Sequence, residues 1–450
     1  MGIDVAGPAH ETRSARRRRR LSTFCRPWRR PIAALTARAV RIEDLADSFP
    51  GLLFALVTRY GDGRERQRAM ACIKAGLPLK CAADALGLPM WLRRLPPEAF
   101  ATPLPAMPAD AEFALALTNR IPLRAEEVTA WFDRVVYALK VVGRDYAMWV
   151  AKAPRVLPLS TSDEDFRWLT AWAWYSTQRV GRAHELLRGP WSPAMSWKKA
   201  RDELAIWRKR IDLAATLGPG IGDAWFADGH ALGFDIVALR TIDQFVTESA
   251  AMENCLDQYA ARLTYGRVRV FSVRRQGTSI ASLELSLRSD DAETPAITQL
   301  RGPRNRRVAT QVWQAVHAWL GGQPFKALAG QPSDPGSARE TLRVLWQPYL
   351  EALEAAGIAE RLRPPLSGAL LAHRLRSASS RRAEGAPSHG AGGAATTSAG
   401  GAATTSAGGA ATTSAGGAAT TSAGGELAAP HRHTDSAPTP RRVAARYAAA

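Results

Sequence analysis

A chain of 450 residues carries 60 Lys and Arg against 41 Asp and Glu, a formal charge of +19. Hydrophobic residues make up 46% and charged residues 22%, with 14 Trp, which is enough to bury a core and excludes wholesale disorder. No apolar run reaches the ~18 residues that would span a bilayer, so no membrane partner is expected.

All but eight of the 60 basic residues are Arg, the side chain that grips phosphate bidentately. Cys25, Cys72, Cys81 and Cys255 are scattered without a C-x-x-C pair, and no His-rich cluster completes a ligand set; neither structural zinc nor another metal or cofactor is expected.

Residues 1–41 hold eleven Arg against Asp4 and Glu11 without sustained periodicity, and read as a flexible, disordered basic arm, either a plain solvated tail or one that attracts nucleic acid. Arginines 16–20 precede an LSTF stretch in the manner of a twin-arginine export signal, but Arg26, Arg29 and Arg30 interrupt the apolar segment that should follow. A cytoplasmic protein is expected.

Residues 42–217 read as a helical region. Pro50, Pro78, Pro89, Pro96, Pro97 and Pro122 keep its first helices short. The stretch 79–95 has the outline of a helix-turn-helix, yet Pro96 and Pro97 stop its second helix too early to lie along a major groove. Longer amphipathic segments follow. Trp131, Val135, Ala138 and Val142 form one stripe; Phe166, Leu169, Trp172 and Ala173 form a second, capped by Ser162; Trp197, Ala200, Leu204, Trp207 and Ile211 form a third.

The period changes after Gly218. Residues 234–239 read as a strand, and Thr241 with Gln244 forms a capping box for a helix reaching about Leu263. Residues 267–275 and 278–288 read as a hairpin closed by Gln276-Gly277. In its second strand Ala281, Leu283, Leu285 and Leu287 define a core face, and Ser282, Glu284, Ser286 and Arg288 a wet one. A strand over 296–301 precedes a helix over 306–320, with Asn305 as its expected cap. Ser337 and Glu340 suggest a capping box for a last helix, kinked at Pro348, within 326–357. Residues 358–450 read as a disordered tail in which GGAATTSA repeats from 392 to 425. The fold class expected is α+β: a mostly helical N-terminal region, then a small antiparallel-sheet unit flanked by helices over 218–325, with disordered tails.

The densest chemistry falls between 252 and 307. The segment MENCLDQY, read as helix, sets Cys255, Tyr259 and Arg262 on one face, and ITQLRGPRNRR follows Glu284. Met252, Cys255, Tyr259, Gly266, Arg274, Leu283, Glu284, Gln299, Gly302, Asn305 and Arg306 come in the order and spacing of a known family. The string resembles the PcfJ-like proteins found on conjugative plasmids and other mobile elements. Asn254 stands where many members carry histidine, a departure that argues against a role requiring an imidazole. The resemblance implies a mobile-element accessory protein.

Two functions follow from the residues themselves. In the first, the chain binds DNA or RNA. Arg304, Asn305, Arg306 and Arg307, with backbone N–H groups of the 302–307 turn and a helix N-terminus, would cradle phosphates, while Arg267, Arg269 and Arg274 extend the contact along the sheet. In the second, Cys255, Tyr259, Glu284 and Gln299 form the catalytic set of an enzyme acting on nucleic acid or a nucleotide. For a cysteine nucleophile the unit offers only His230 and His317 as bases. The glycines of 218–222 lack the Lys-Ser/Thr of a phosphate-binding loop. No motif identifies a protein partner.

Overall fold

The computed structural model describes residues 13–152, 163–287, 294–324, 328 and 331–358. Ser162, Arg288, the acidic residues 290, 291 and 293, and the repeat tail lie outside the described residues.

Proline and glycine punctuation cuts the first half of the chain into short helices. Residues expected in an unstructured arm are helical instead, in Arg13–Ser22 and Arg29–Thr36. The reason is apolar anchoring: Leu21, Phe24 and Ile32 are buried in the main core, and Arg17 donates to the Ala33 carbonyl and the Thr36 hydroxyl. Pro50–Val57 is buried along most of its length. The helix-turn-helix outline ends as expected for plain packing. Leu79–Ala85 is followed by Gly87 at φ 61° and then by a 3₁₀ turn, Met90–Arg94, whose Trp91 and Leu92 are buried. No second helix of recognition length follows.

Longer helices, Ala125–Val141, Asp163–Gln178 and Trp197–Leu217, carry the expected stripes inward. Ser196 caps the third by accepting from the Lys199 N–H. The last helix, Pro335–Ala355, returns to pack on this layer. Its cap differs from expectation: Asp334 accepts from the N–H groups of Gly336 and Ser337, because Pro335 already occupies the first helical position. The helix continues past Pro348. Trp346 is fully buried, with ring centroids 5.0 Å from Trp168 and 5.8 Å from Trp207, and the Tyr175 hydroxyl donates to the Leu345 carbonyl at 2.6 Å.

Five strands form one antiparallel meander in the order β1-β2-β3-β4-β5: β1 (Gly229–Ala231), β2 (Phe234–Ala238), β3 (Val268–Arg275), β4 (Thr278–Leu287) and β5 (Pro295–Arg301). Gln276 and Gly277, both at positive φ, close the β3–β4 hairpin as expected. The chain enters β3 through Gly266, at φ +66°, where a Cβ would lie 1.8 Å from the Gln331 carbonyl oxygen. Only glycine fits there.

Both faces of the sheet are covered. Ala281, Leu283, Leu285 and Leu287 join Phe271, Val273, Trp225 and the Thr310–Gly321 helix in a small second core. The opposite face, expected to be wet, is also buried: Ser272, Ser282 and Glu284 are under the Ile242–Met252 helix and the turn after it. The Ile242–Met252 helix and the turn after it therefore roof this face, which leaves the middle of β4 polar in sequence yet buried in place.

Two helix boundaries also differ from expectation. The helix capped by Thr241 ends at Met252, because Glu253 turns left-handed at φ 47°; a 3₁₀ turn, Leu256–Gln258, and one helical turn, Ala260–Leu263, follow. Likewise Asn305 does not cap the following helix, which begins at Thr310 after Ala309. Pro303 opens a 3₁₀ turn in which Arg304 and Asn305 both adopt positive φ, a conformation incompatible with entering a helix.

Trp346→Ala would leave a large cavity between three helices, and such changes cost about 3–5 kcal/mol. We expect chemical denaturation to report a loss of that size; a loss below about 1 kcal/mol would mean that the aromatic contacts do not hold the C-terminal helix.

Candidate functional site

The polar strip on β4 dictates what surrounds it, because a buried carboxylate needs donors. Glu284 is 2% exposed, opposite Val270 on β3 and Gln299 on β5. Its Oε2 accepts from the Tyr259 hydroxyl at 3.0 Å and pairs with Arg262 Nη1 at 3.1 Å. Its Oε1 accepts from the Thr298 hydroxyl at 2.8 Å. That last contact depends on a bulge: Gln299 pairs with Glu284 and Ile297 with Leu285, so Thr298 is the extra residue and turns back toward the carboxylate.

Neighbouring groups hold the broken helix in place. Glu248, also buried, accepts from the hydroxyls of Ser279 and Ser282. Asn254 donates from Nδ2 to the Ser282 hydroxyl at 3.3 Å and accepts from the Leu256 N–H at 3.1 Å. Asp257 and Arg210, both buried, pair at 2.8 Å and tie the turn to the Trp197–Leu217 helix. From the same helix Lys209 donates to the Gln258 side chain at 2.7 Å.

Between this turn and the sheet lies a cavity of about 760 Å³. Cys255, Tyr259, Glu284 and Gln299 all line it. The break at Glu253 removes the single helix face that was expected to group Cys255, Tyr259 and Arg262, yet the 3₁₀ turn and the helical turn after it deliver the same three side chains to one cavity. Lys209, Arg262 and Arg301, with the amides of Asn254, Gln258 and Asn305, complete its charged and amide lining. Burial, together with the adjacent Glu284 carboxylate, pushes the Tyr259 phenol up to about 12, so it remains a donor at neutral pH. Cys255 is exposed at the site. His230 pairs with Asp235 across β1 and β2, and His317 stacks on Trp313 of the Thr310–Gly321 helix. Neither lines the cavity with Cys255.

The expected arginine surface is divided. The pleat sends Arg269 to the opposite face of the sheet, where it is 5% exposed. There it lies over the Trp225 ring and donates to the carbonyls of Asp223, Gly266 and Val268, and burial pushes its guanidinium below the usual value. It has no surface left for a ligand. Arg267 is half-buried near the Leu287 carbonyl, and Arg274 donates to the Ser272 hydroxyl at the far end of β3. Arg304 makes a two-pronged pair with Glu253 at 2.8 and 2.9 Å and holds that carboxyl below the usual carboxylate range. Arg301, Asn305, Arg306 and Arg307 are exposed.

Two N–H groups of the 302–307 turn, where a backbone phosphate cradle was expected, are engaged within the turn. The Gly302 N–H donates to the Arg306 carbonyl and the Arg306 N–H to the Pro303 carbonyl, so the turn closes on itself, and the following helix begins three residues beyond Arg307. Lys209, Thr298 and Glu248 were not singled out as site residues. The one available signal was the alternation of Ser282, Glu284 and Ser286 along β4, which marks a polar face without saying whether a roof covers it.

Residues 226–317 match the family model described as PcfJ-like protein. Over that stretch the chain is PcfJ-like. No curated protein and no solved structure matches it. The PcfJ-like stretch holds β1 to β5 and the whole cavity lining except Lys209, which the upstream helical layer contributes. Its motif residues now have physical roles: Tyr259 and Glu284 bond each other, Gln299 lies opposite Glu284 in the cavity wall, and Gly266 admits the 331 backbone. Asn254, where many members carry histidine, here fastens the turn to β4.

The raised Tyr259 value has a sign. An unfolded tyrosine ionises near pH 10, whereas folded Tyr259 holds its proton to about 12. Its contribution to stability is therefore intact below about pH 10 and lost as pH rises toward 12. Denaturation midpoints measured across that window should fall more steeply for the wild type than for Tyr259→Phe; parallel curves would contradict the placement.

Proposed function

We propose that the PcfJ-like cavity binds single-stranded nucleic acid, with phosphates held by guanidinium groups at its mouth and one nucleotide unit entering it. The observation that carries this reading is the convergence of Lys209, Arg262 and Arg301, from a helix, a turn and a strand, on one cavity whose buried carboxylate is already saturated by Tyr259, Thr298 and Arg262. A saturated Glu284 neutralises part of Arg262 and leaves Lys209 and Arg301 to set the sign of the field. Arg306 and Arg307 follow Arg301 and Asn305 along the chain, are exposed, and would extend the contact to further phosphates. Half-buried Tyr259 offers a ring on which a base can stack. The resemblance to mobile-element proteins fits an accessory role in handling such strands.

Cys255, Tyr259, Glu284 and Gln299 sharing that cavity supports the second reading, an enzyme acting on a nucleotide or nucleic acid. Against it stands the bonding of Glu284, whose two oxygens are already engaged by Tyr259, Thr298 and Arg262. In the binding reading Glu284 orients Tyr259 and Arg262.

Removing three phosphate contacts lowers the slope of log affinity against log salt by about 2 on single strands. Arg301→Ala/Arg306→Ala/Arg307→Ala in the full chain should show that reduction in anisotropy titrations with a labelled oligonucleotide. Cys255→Ser should bind as the wild type does. An unchanged slope in the triple variant would reject the binding site; turnover of a nucleotide substrate that Cys255→Ser abolishes would establish the enzyme instead.

A further inference from the structure

A second concentration of positive charge lies in the N-terminal helical layer, outside the PcfJ-like stretch. A groove of about 580 Å³ is lined by Arg19 and Arg20 of the Arg13–Ser22 helix and by Arg93 and Arg94 of the Met90–Arg94 turn. Local packing turns these arginines toward solvent. Leu21 and Phe24 anchor the first segment in the core, while Trp91, Leu92 and Leu95 anchor the second and leave 93 and 94 outward. Arg19, Arg93 and Arg94 are exposed. Among the described residues lining the groove, Asp47 is the sole carboxylate, and Arg20 holds it at 2.8 Å. Arg93 is steadied by donating from Nε to the Ser48 carbonyl at 2.9 Å.

Four guanidinium groups against one carboxylate repel one another, a cost that an anionic occupant would relieve. Pro50, Pro96 and Pro97 add apolar ring surfaces to the same lining. Arginine forks match phosphate oxygens, proline rings offer flat faces to a sugar or base, and the volume suits a nucleotide unit rather than a duplex. We infer that this groove is a separate docking site for the phosphate backbone of single-stranded nucleic acid. The inference stands on the groove alone and does not depend on the cavity beneath the Ile242–Met252 helix.

Full-length protein is titrated with a labelled oligonucleotide over a range of salt. Arg19→Gln/Arg93→Gln/Arg94→Gln should lower the salt slope by about 2 and weaken low-salt binding at least tenfold, both in the wild-type background and with Arg301, Arg306 and Arg307 already replaced. Arg19→Lys/Arg93→Lys/Arg94→Lys should keep most of the slope. Arg94→Glu, which leaves the Arg93 contact with Ser48 untouched, should weaken binding even if the triple variant folds poorly. Unchanged slope and affinity in folded variants would overturn the site. So would displacement of the oligonucleotide by polyglutamate of matched charge as effectively as by unlabelled strand, since the groove would then serve acidic protein. Failure of the cavity variants alone leaves the groove standing.

Discussion

A carboxylate in the middle of a covered sheet sets the terms for the PcfJ-like unit. Glu284 is buried in the wall of the cavity, and an uncompensated charge there would cost several kcal/mol. Its three donors come from separate pieces of chain: Tyr259 from the turn after the broken helix, Arg262 from the short helical turn, Thr298 from the bulge on β5. Satisfying one group therefore fixes three segments relative to one another. The cavity is the space those segments leave beside the sheet.

The same requirement sorts the arginines into two kinds. Arg210, Arg262 and Arg269 are held by Asp257, by Glu284, and by backbone carbonyls with the Trp225 ring, and they act in the fold as donors and packing surfaces. Arg301, Arg306 and Arg307 are exposed, the first of them in the cavity lining, as are Arg19, Arg93 and Arg94 on the helical layer. Net charge counts both kinds alike, yet only the second can exchange counterions for a phosphate backbone. Among the described residues, the cavity and the N-terminal groove are two places where exposed guanidinium groups meet in a concave lining.

Much of the fold was legible because periodicity reports burial directly. The β3–β4 hairpin, the Thr241 capping box and the Trp197–Leu217 stripe all follow local rules that tertiary packing left intact. Local rules failed where a distant segment decided the outcome. Alternation along β4 distinguishes two faces but cannot say that a second layer roofs the polar one. Helical spacing through 252–263 took no account of Glu253 adopting a left-handed turn, opposite the Arg304 that pairs with it fifty-one residues away. The basic arm lacked periodicity by count, yet Leu21, Phe24 and Ile32 were enough to dock it. The four candidate catalytic residues were grouped by a family pattern and do share a cavity, whereas the strand arginines were grouped by sequence proximity, and the pleat separated them.

Cys255 and Cys81 are both exposed, the first in the cavity lining and the second on the Leu79–Ala85 helix. Alkylation of each thiol, followed by mass spectrometry with and without saturating single-stranded oligonucleotide, tests occupancy of the cavity with an internal reference. The account predicts that the strand slows modification of Cys255 several-fold and leaves Cys81 unaffected. Equal rates at Cys255 in the presence and absence of bound strand would contradict it.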